Sequence, residues 1–239
     1  AAATESDYPE FKSLSKEGSG DFAIILNTTA FGFGELSMAS GNLAISASGG
    51  GVLGFDSIKG SIDTFETSGD IRISGSVEAN INTFTVNSGS VYVYDGILGN
   101  LDTLNVKGNL NISTQNTSSD EEELAKQGIK YVKNINIYSG GYLRVFCNYN
   151  NVSNTASPNA INLADGGKID VNKGILEAYG SSGEYEGNPG GAGIYAIGDG
   201  EMTVRNGSIL AHGGSSTFSN TDGAGLKAAG AFNIRLYGG

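Results

Sequence analysis

A five-residue pattern, Gly-x-apolar-x-apolar, returns along the whole chain and limits its fold more than any other feature. It reads Gly20-Asp21-Phe22-Ala23-Ile24, Gly41-Asn42-Leu43-Ala44-Ile45, Gly69-Asp70-Ile71-Arg72-Ile73 and Gly89-Ser90-Val91-Tyr92-Val93. The same alternation follows Gly108, Gly141, Gly167, Gly200 and Gly230. Alternation with a period of two buries one face of a strand, and a glycine between two such runs permits a tight corner. A unit that returns every 20 to 35 residues or so marks a stacked, quasi-linear molecule.

A second alternation precedes most of these glycines. Phe84-x-Val86 leads to Gly89, Leu104-x-Val106 to Gly108, Ile135-x-Ile137 to Gly140 and Gly141, and Ile161-x-Leu163 to Gly166 and Gly167. A third strand shows late in the chain, at Gly174-Ile175-Leu176-Glu177-Ala178 and Gly207-Ser208-Ile209-Leu210-Ala211. Three short strands and three corners per coil predict an all-β, right-handed parallel β-helix. Its coils stack at about 4.8 Å per rung, with Val91 expected to ladder with Ile112 and Val145. A propeller needs about four strands in roughly 40 to 50 residues, and a sandwich would not return one glycine to one place.

Residues 1–19 do not repeat and read as an N-terminal cap, with Phe11 and Leu14 as its apolar surface. Residues 20–239 read as the solenoid, its last coil incomplete at Phe232-x-Ile234-x-Leu236-Tyr237. That coil is expected either to continue in a longer natural chain or to pair with another subunit, which makes self-association an expected partnership. Residues 118–128 form the one helical candidate, with Ser119 and Glu122 at capping-box spacing and Gly128 as the stop. Two loops rich in Gly, Ser and Asn, at 181–193 and 213–225, are expected to emerge on one side. The opening Ala1-Ala2-Ala3 carries no signal peptide and fits a mature end left after cleavage.

The net charge of −11, without a basic cluster, argues against nucleic acid and against an anionic membrane surface. No apolar run approaches the roughly 20 residues of a membrane helix, so membrane insertion is not expected. Cys147 is the only cysteine, which rules out an internal disulfide and suits a small residue at the core edge. Composition and architecture together suggest an extracellular or cell-surface location.

The pattern resembles the right-handed parallel β-helix proteins grouped around pectate lyase, closest in flavour to the glycine-rich solenoids of bacterial surface proteins. Gly190-Gly191-Ala192-Gly193-Ile194 and Asp222-Gly223-Ala224-Gly225-Leu226 look like their Gly-Ala-Gly-apolar corners, and the resemblance runs from about Gly20 onward. It implies a scaffold that hosts polysaccharide lyases, inverting hydrolases, adhesins and plain stalks, so fold alone does not choose. The polygalacturonase-like members carry Asn-Thr-Asp, Asp-Asp, Gly-His-Gly and Arg-Ile-Lys in that order. Asn220-Thr221-Asp222 matches the first element, but no Asp-Asp exists in the chain. The single histidine, His212, precedes the match, and Arg235-Leu236-Tyr237 departs from the last element. A lyase would need acids to hold calcium and a Lys or Arg base. Asp70, Arg72, Arg144 and Asp170 read as outward on aligned strands but several rungs apart. Neither a catalytic residue, a metal nor a cofactor is expected.

The most suggestive set is aromatic. Tyr92 and Tyr94 alternate with Val91 and Val93 and so point outward, as do Tyr142, Arg144 and Phe146 on a later strand. Asn111 and Ser113 fall on the rung between. The expected face has Tyr92, Asn111 and Arg144 in one column and Tyr94, Ser113 and Phe146 in the next. Sugar rings stack on aromatic faces while their hydroxyls meet amide and guanidinium donors, and two rungs, about 9.6 Å, is of saccharide-repeat size. The expected function is therefore a non-catalytic adhesin or scaffold whose partner is a polysaccharide or a host or cell-surface glycan. A polysaccharide lyase or hydrolase is the alternative, and an end-to-end stalk or filament the second.

Overall fold

The computed structural model describes residues 10–27, 30–48, 50–114, 127–148, 157–183, 189–216 and 222–238. Nearly all of the expected helix at 118–128 lies outside the described residues, as do residues 1–9 of the expected cap and Asn220-Thr221. The chain opens with β1 (Glu10–Lys16), β2 (Phe22–Leu26), β3 (Phe31–Met38), β4 (Asn42–Ala47) and the long β5 (Val52–Ser68). Next come β6 (Asp70–Ile73), β7 (Asn80–Ser88), β8 (Ser90–Val93), β9 (Leu101–Val106) and β10 (Asn109–Ser113). The larger coils hold β11 (Ile129–Ile137), β12 (Tyr142–Phe146), β13 (Ile161–Asn172), β14 (Ile175–Tyr179) and β15 (Ile194–Ala196). The chain closes with β16 (Gly200–Arg205), β17 (Ser208–His212), β18 (Leu226–Ala228) and β19 (Phe232–Tyr237).

Every pairing between these strands is parallel, and each strand bonds to the equivalent strand one coil away. The molecule is an all-β parallel β-helix with three sheets. The first sheet runs through the start of β5 and then β6, β8, β10, β12, β14 and β17. The second is short and in places a single bridge per coil, linking Ile58, Val77, Ile97 and Ile129, then β13, β15 and β18. The third runs through β2, β4, the end of β5, β7, β9, the ends of β11 and β13, β16 and β19.

Apolar residues at every second position of each strand stack into ladders. On the first sheet one ladder runs Leu53, Ile71, Val91, Leu110, Leu143, Leu176 and the next Phe55, Ile73, Val93, Ile112, Val145, Ala178. Val93 and not Val91 therefore shares a ladder with Ile112 and Val145. The sequence expectation was two residues out of register. The third sheet stacks Phe65 on Phe84, with ring centroids 4.5 Å apart and planes 9° off parallel, and continues through Leu104, Ile135 and Ile169. These side chains are almost wholly buried. Each contributes on the order of 1.5–3 kcal/mol by leaving water, repeated coil after coil. Residues 10–16 of the expected cap form β1, which adds a rung on β3 and lays Phe11 against Phe31 and Phe33.

The recurring Gly-x-apolar-x-apolar pattern marks two different corners, which the sequence reading merged into one. After Gly69, Gly89, Gly108 and Gly141 the chain enters the first sheet, as β6, β8, β10 and β12. After Gly20, Gly41, Gly167, Gly200 and Gly230 it enters or continues along the third sheet. The strands after Gly174 and Gly207, read from sequence as an extra third strand, are β14 and β17, which continue the column of β12. Glycine serves both corners for the same reason. At Gly89 φ is +74°, and a Cβ would overlap the backbone of Gly69 one coil earlier. Where the early coils have 19 or 20 residues (Ile71 to Val91 to Leu110), the later ones have 33 (Leu110 to Leu143 to Leu176 to Ile209). The extra residues fall in sequence after β10, β12, β14 and β17, and most of them lie outside the described residues. After β14 and β17 the described residues that flank them pair backbone to backbone. Ser181 N–H donates to Pro158, Gly191 N–H to Ser181, Gly214 N–H to Gly191 and Gly223 N–H to Gly214.

Candidate carbohydrate-binding face

The first sheet turns three columns of side chains to solvent, because its inward positions alternate with outward ones. Column one holds Asp70, Ser90, Asn109, Tyr142, Ile175 and Ser208. Column two holds Arg72, Tyr92, Asn111, Arg144, Glu177 and Leu210. Column three contains Ser113, Phe146, Tyr179 and His212, with Tyr94 following β8 beside Ser113. Of the six residues singled out from sequence, Tyr92, Asn111 and Arg144 share a column, and Tyr94 and Phe146 stand on the neighbouring one. Tyr142 lies one column to the other side, yet its hydroxyl donates to Glu177 Oε2 at 2.8 Å.

Two aromatic groups result. In the first, Tyr92 and Tyr94 lie 6.4 Å apart, 18° from parallel, and the Arg72 guanidinium sits 5.9 Å from the Tyr94 ring centre. In the second, Phe146 tilts against Tyr179 at 6.1 Å, His212 stacks on Tyr179 at 5.7 Å, and Arg144 lies 5.7 Å from the same ring centre. Glu177 knits this second group together. It accepts the Tyr142 and Tyr179 hydroxyls and lies 3.7 Å from Arg144 Nε. Partial burial, followed by the Glu177 carboxylate, raises the Tyr142 phenol above its ordinary pKa, so it stays a donor. Tyr92 and Phe146 keep more than a third of their surface exposed, and the Asn111 amide and Ser113 hydroxyl lie on the rung between the groups.

Sequence reasoning missed Glu177, Tyr179 and His212. The signal was present. Tyr179 and His212 stand at the same offset from Gly174 and Gly207 as Phe146 does from Gly141. Placing Gly174 and Gly207 at a separate corner hid the match. A second correction concerns the charged set Asp70, Arg72, Arg144 and Asp170. The first three are on the first sheet, but Asp170 is on the third, paired in register with Thr203.

A cleft of about 280 Å³ opens on the third sheet among Thr103, Asn134, Asn136, Lys168, Glu201 and Arg235, with Asp170 and Arg205 at its side. Its acids are matched to cations, Lys168 to Glu201 at 3.1 Å and Arg205 to Asp170. Lys168 holds the Glu201 carboxyl below its usual range. An ionised, paired acid suits salt-bridging and hydrogen bonding, not protonation of a leaving group. Among the described residues no three His, Cys, Asp or Glu side chains converge as metal ligands. Cys147 is buried, its Sγ accepting from Gly128 N–H and donating to the Asn159 carbonyl. Burial pushes its thiol up to about 12. No family model, curated protein or solved structure matches the chain.

Proposed function

We propose that the chain is a non-catalytic, carbohydrate-binding β-solenoid that works outside the cell or on its surface, as an adhesin or scaffold of the glycine-rich, pectate-lyase-like kind. One observation carries the reading: outward aromatic rings on the first sheet, grouped with guanidinium, amide and hydroxyl donors. Aromatic faces take the apolar faces of sugar rings, while planar donors meet their hydroxyls. The opposing consideration is that tyrosine suits strands and that ring ladders stabilise sheets. Against it, Tyr92 and Phe146 leave more than a third of their surface in solvent, where stability gains least.

Passing the protein over immobilised acidic and neutral polysaccharides tests the proposal, with retention and released fragments measured together. Retention without fragments is expected. A variant carrying Tyr92→Ala, Tyr94→Ala and Phe146→Ala should lose retention at least tenfold while keeping its melting profile, since outward side chains contribute little to the core. Released fragments would show an enzyme instead. Unchanged retention by the triple variant would remove the site.

A further inference from the structure

We infer that the outward face of the first sheet takes one neutral, linear polysaccharide chain, lying along the solenoid axis and held at two equivalent aromatic platforms. The inference rests on the carbohydrate-binding reading and specifies the shape and charge of its ligand. The same unit occurs twice. Arg72 reaches diagonally over Tyr94, one rung on, and Arg144 reaches diagonally over Tyr179, one rung on, at nearly equal distances of 5.9 and 5.7 Å. Both arginines stand in column two, separated by Tyr92 and Asn111. The units are thus three rungs apart, about 14 Å.

Direction follows from the rings. Tyr94, Phe146, Tyr179 and His212 follow one another along the axis in column three, interrupted only at Ser113. The track therefore runs across the strands. A ligand lying along a single strand would meet one platform at most. An extended chain of hexoses presents like faces at a fixed rise, and about three units span the distance between platforms. A branch point or a single terminal sugar has no second group with which to fill the second site.

The charge of the face points to a neutral chain. From β6 to β17, Asp70 and Glu177 cancel Arg72 and Arg144, while the whole protein carries −11. The described residues of this face therefore carry none of the acidic surplus. That surplus repels a polyanion at long range, and a polycation finds no acidic surface on this face.

The test titrates the intact chain by calorimetry with neutral β-1,4-linked gluco-, xylo-, manno- and chito-oligosaccharides of about two to about eight units. Polygalacturonate oligomers of the same lengths serve as the charged comparison. In at least one neutral series affinity should rise about a hundredfold once the oligomer spans both platforms, the gain expected of two linked weak sites. Two variants, Tyr92→Ala with Tyr94→Ala and Phe146→Ala with Tyr179→Ala, should each return long oligomers to short-oligomer affinity. Should either lose its cooperative melt, the single changes Tyr94→Ala and Tyr179→Ala apply the same test. Affinity independent of length, abolished by one variant alone, would leave a saccharide site and overturn the two-platform arrangement. Preference for polygalacturonate would overturn the neutral assignment. Binding to no series would overturn both this inference and the reading beneath it.

Discussion

Cys147 is the chain's only sulfur nucleophile, and its surroundings disarm it. The thiol is enclosed between Gly128 and the Asn159 carbonyl, and burial raises its pKa from the ordinary 9.0 to about 12. At neutral pH the thiolate is negligible, so native protein should resist thiol reagents that label it at once in denaturant. The raised value also makes stability depend on pH. Below the ordinary pKa both folded and unfolded chains hold the proton, and the full stability is present. Above it the unfolded chain ionises first, so stability falls as pH rises toward the folded value, by up to a few kcal/mol. The urea midpoint of the wild type should therefore drop more steeply from pH 9 upward than that of Cys147→Ala. Parallel slopes would show that other groups dominate. The contrast with the proposed binding face is one of position. On the first sheet alternation sends Tyr92 outward between Val91 and Val93, and the polar ends of such residues remain available.

Among the elements, the corners decide what the strands can do. Gly89 combines a positive φ with a Cβ direction blocked by the coil below, so Gly89→Ala should cost at least about 2 kcal/mol or misplace β8. At the equivalent later corners the left-handed residue is Lys173, with φ 56°, or Asn206, with φ 51°. Lys173→Gly should then gain up to about 1 kcal/mol, because in this conformation a Cβ crowds the following carbonyl oxygen and glycine has none. A thermal melt separates the two outcomes, and a loss at Lys173 would mean its side chain matters more than its backbone. These corners also explain what was legible in the sequence. Alternation and glycine reveal strands, a parallel stack and the outward direction of Tyr92, Asn111 and Arg144, all of which depend on neighbours within one strand. They do not reveal which of three sheets a strand joins, because glycine meets the same close approach at two corners. That ambiguity put Asp170 on strands aligned with that of Arg144 and hid Tyr179 and His212 from the face they complete; the slip of Val91 is separate, one alternation within strands that follow the same corner.

At the scale of the molecule, a single core becomes a set of columns whose content changes along the axis. The ladder that passes through Phe33, Phe55, Ile73 and Val93 reaches Ala178 and Ala211 in the last coils, while its neighbour keeps Leu143, Leu176 and Ile209. On the outside of that same sheet the rings from Tyr94 to His212 span four inter-strand steps, about 19 Å, a length no single strand of the face provides. Rigid repetition of this kind fixes the spacing of the groups without any ligand present, which lowers the ordering cost of binding an extended chain. On the proposed reading a saccharide chain lies over the first sheet and not over the polar cleft of the third. Tyrosine nitration read by mass spectrometry, with and without the retained polysaccharide, tests it most directly. Tyr92 on the first sheet and Tyr138 and Tyr237 by the third are all exposed and should react in the free protein. With polysaccharide bound, Tyr92, Tyr94 and Tyr179 should be protected while Tyr138 and Tyr237 react as before. Protection of Tyr138 and Tyr237 with Tyr92 left reactive would contradict the account and move the ligand to the third sheet.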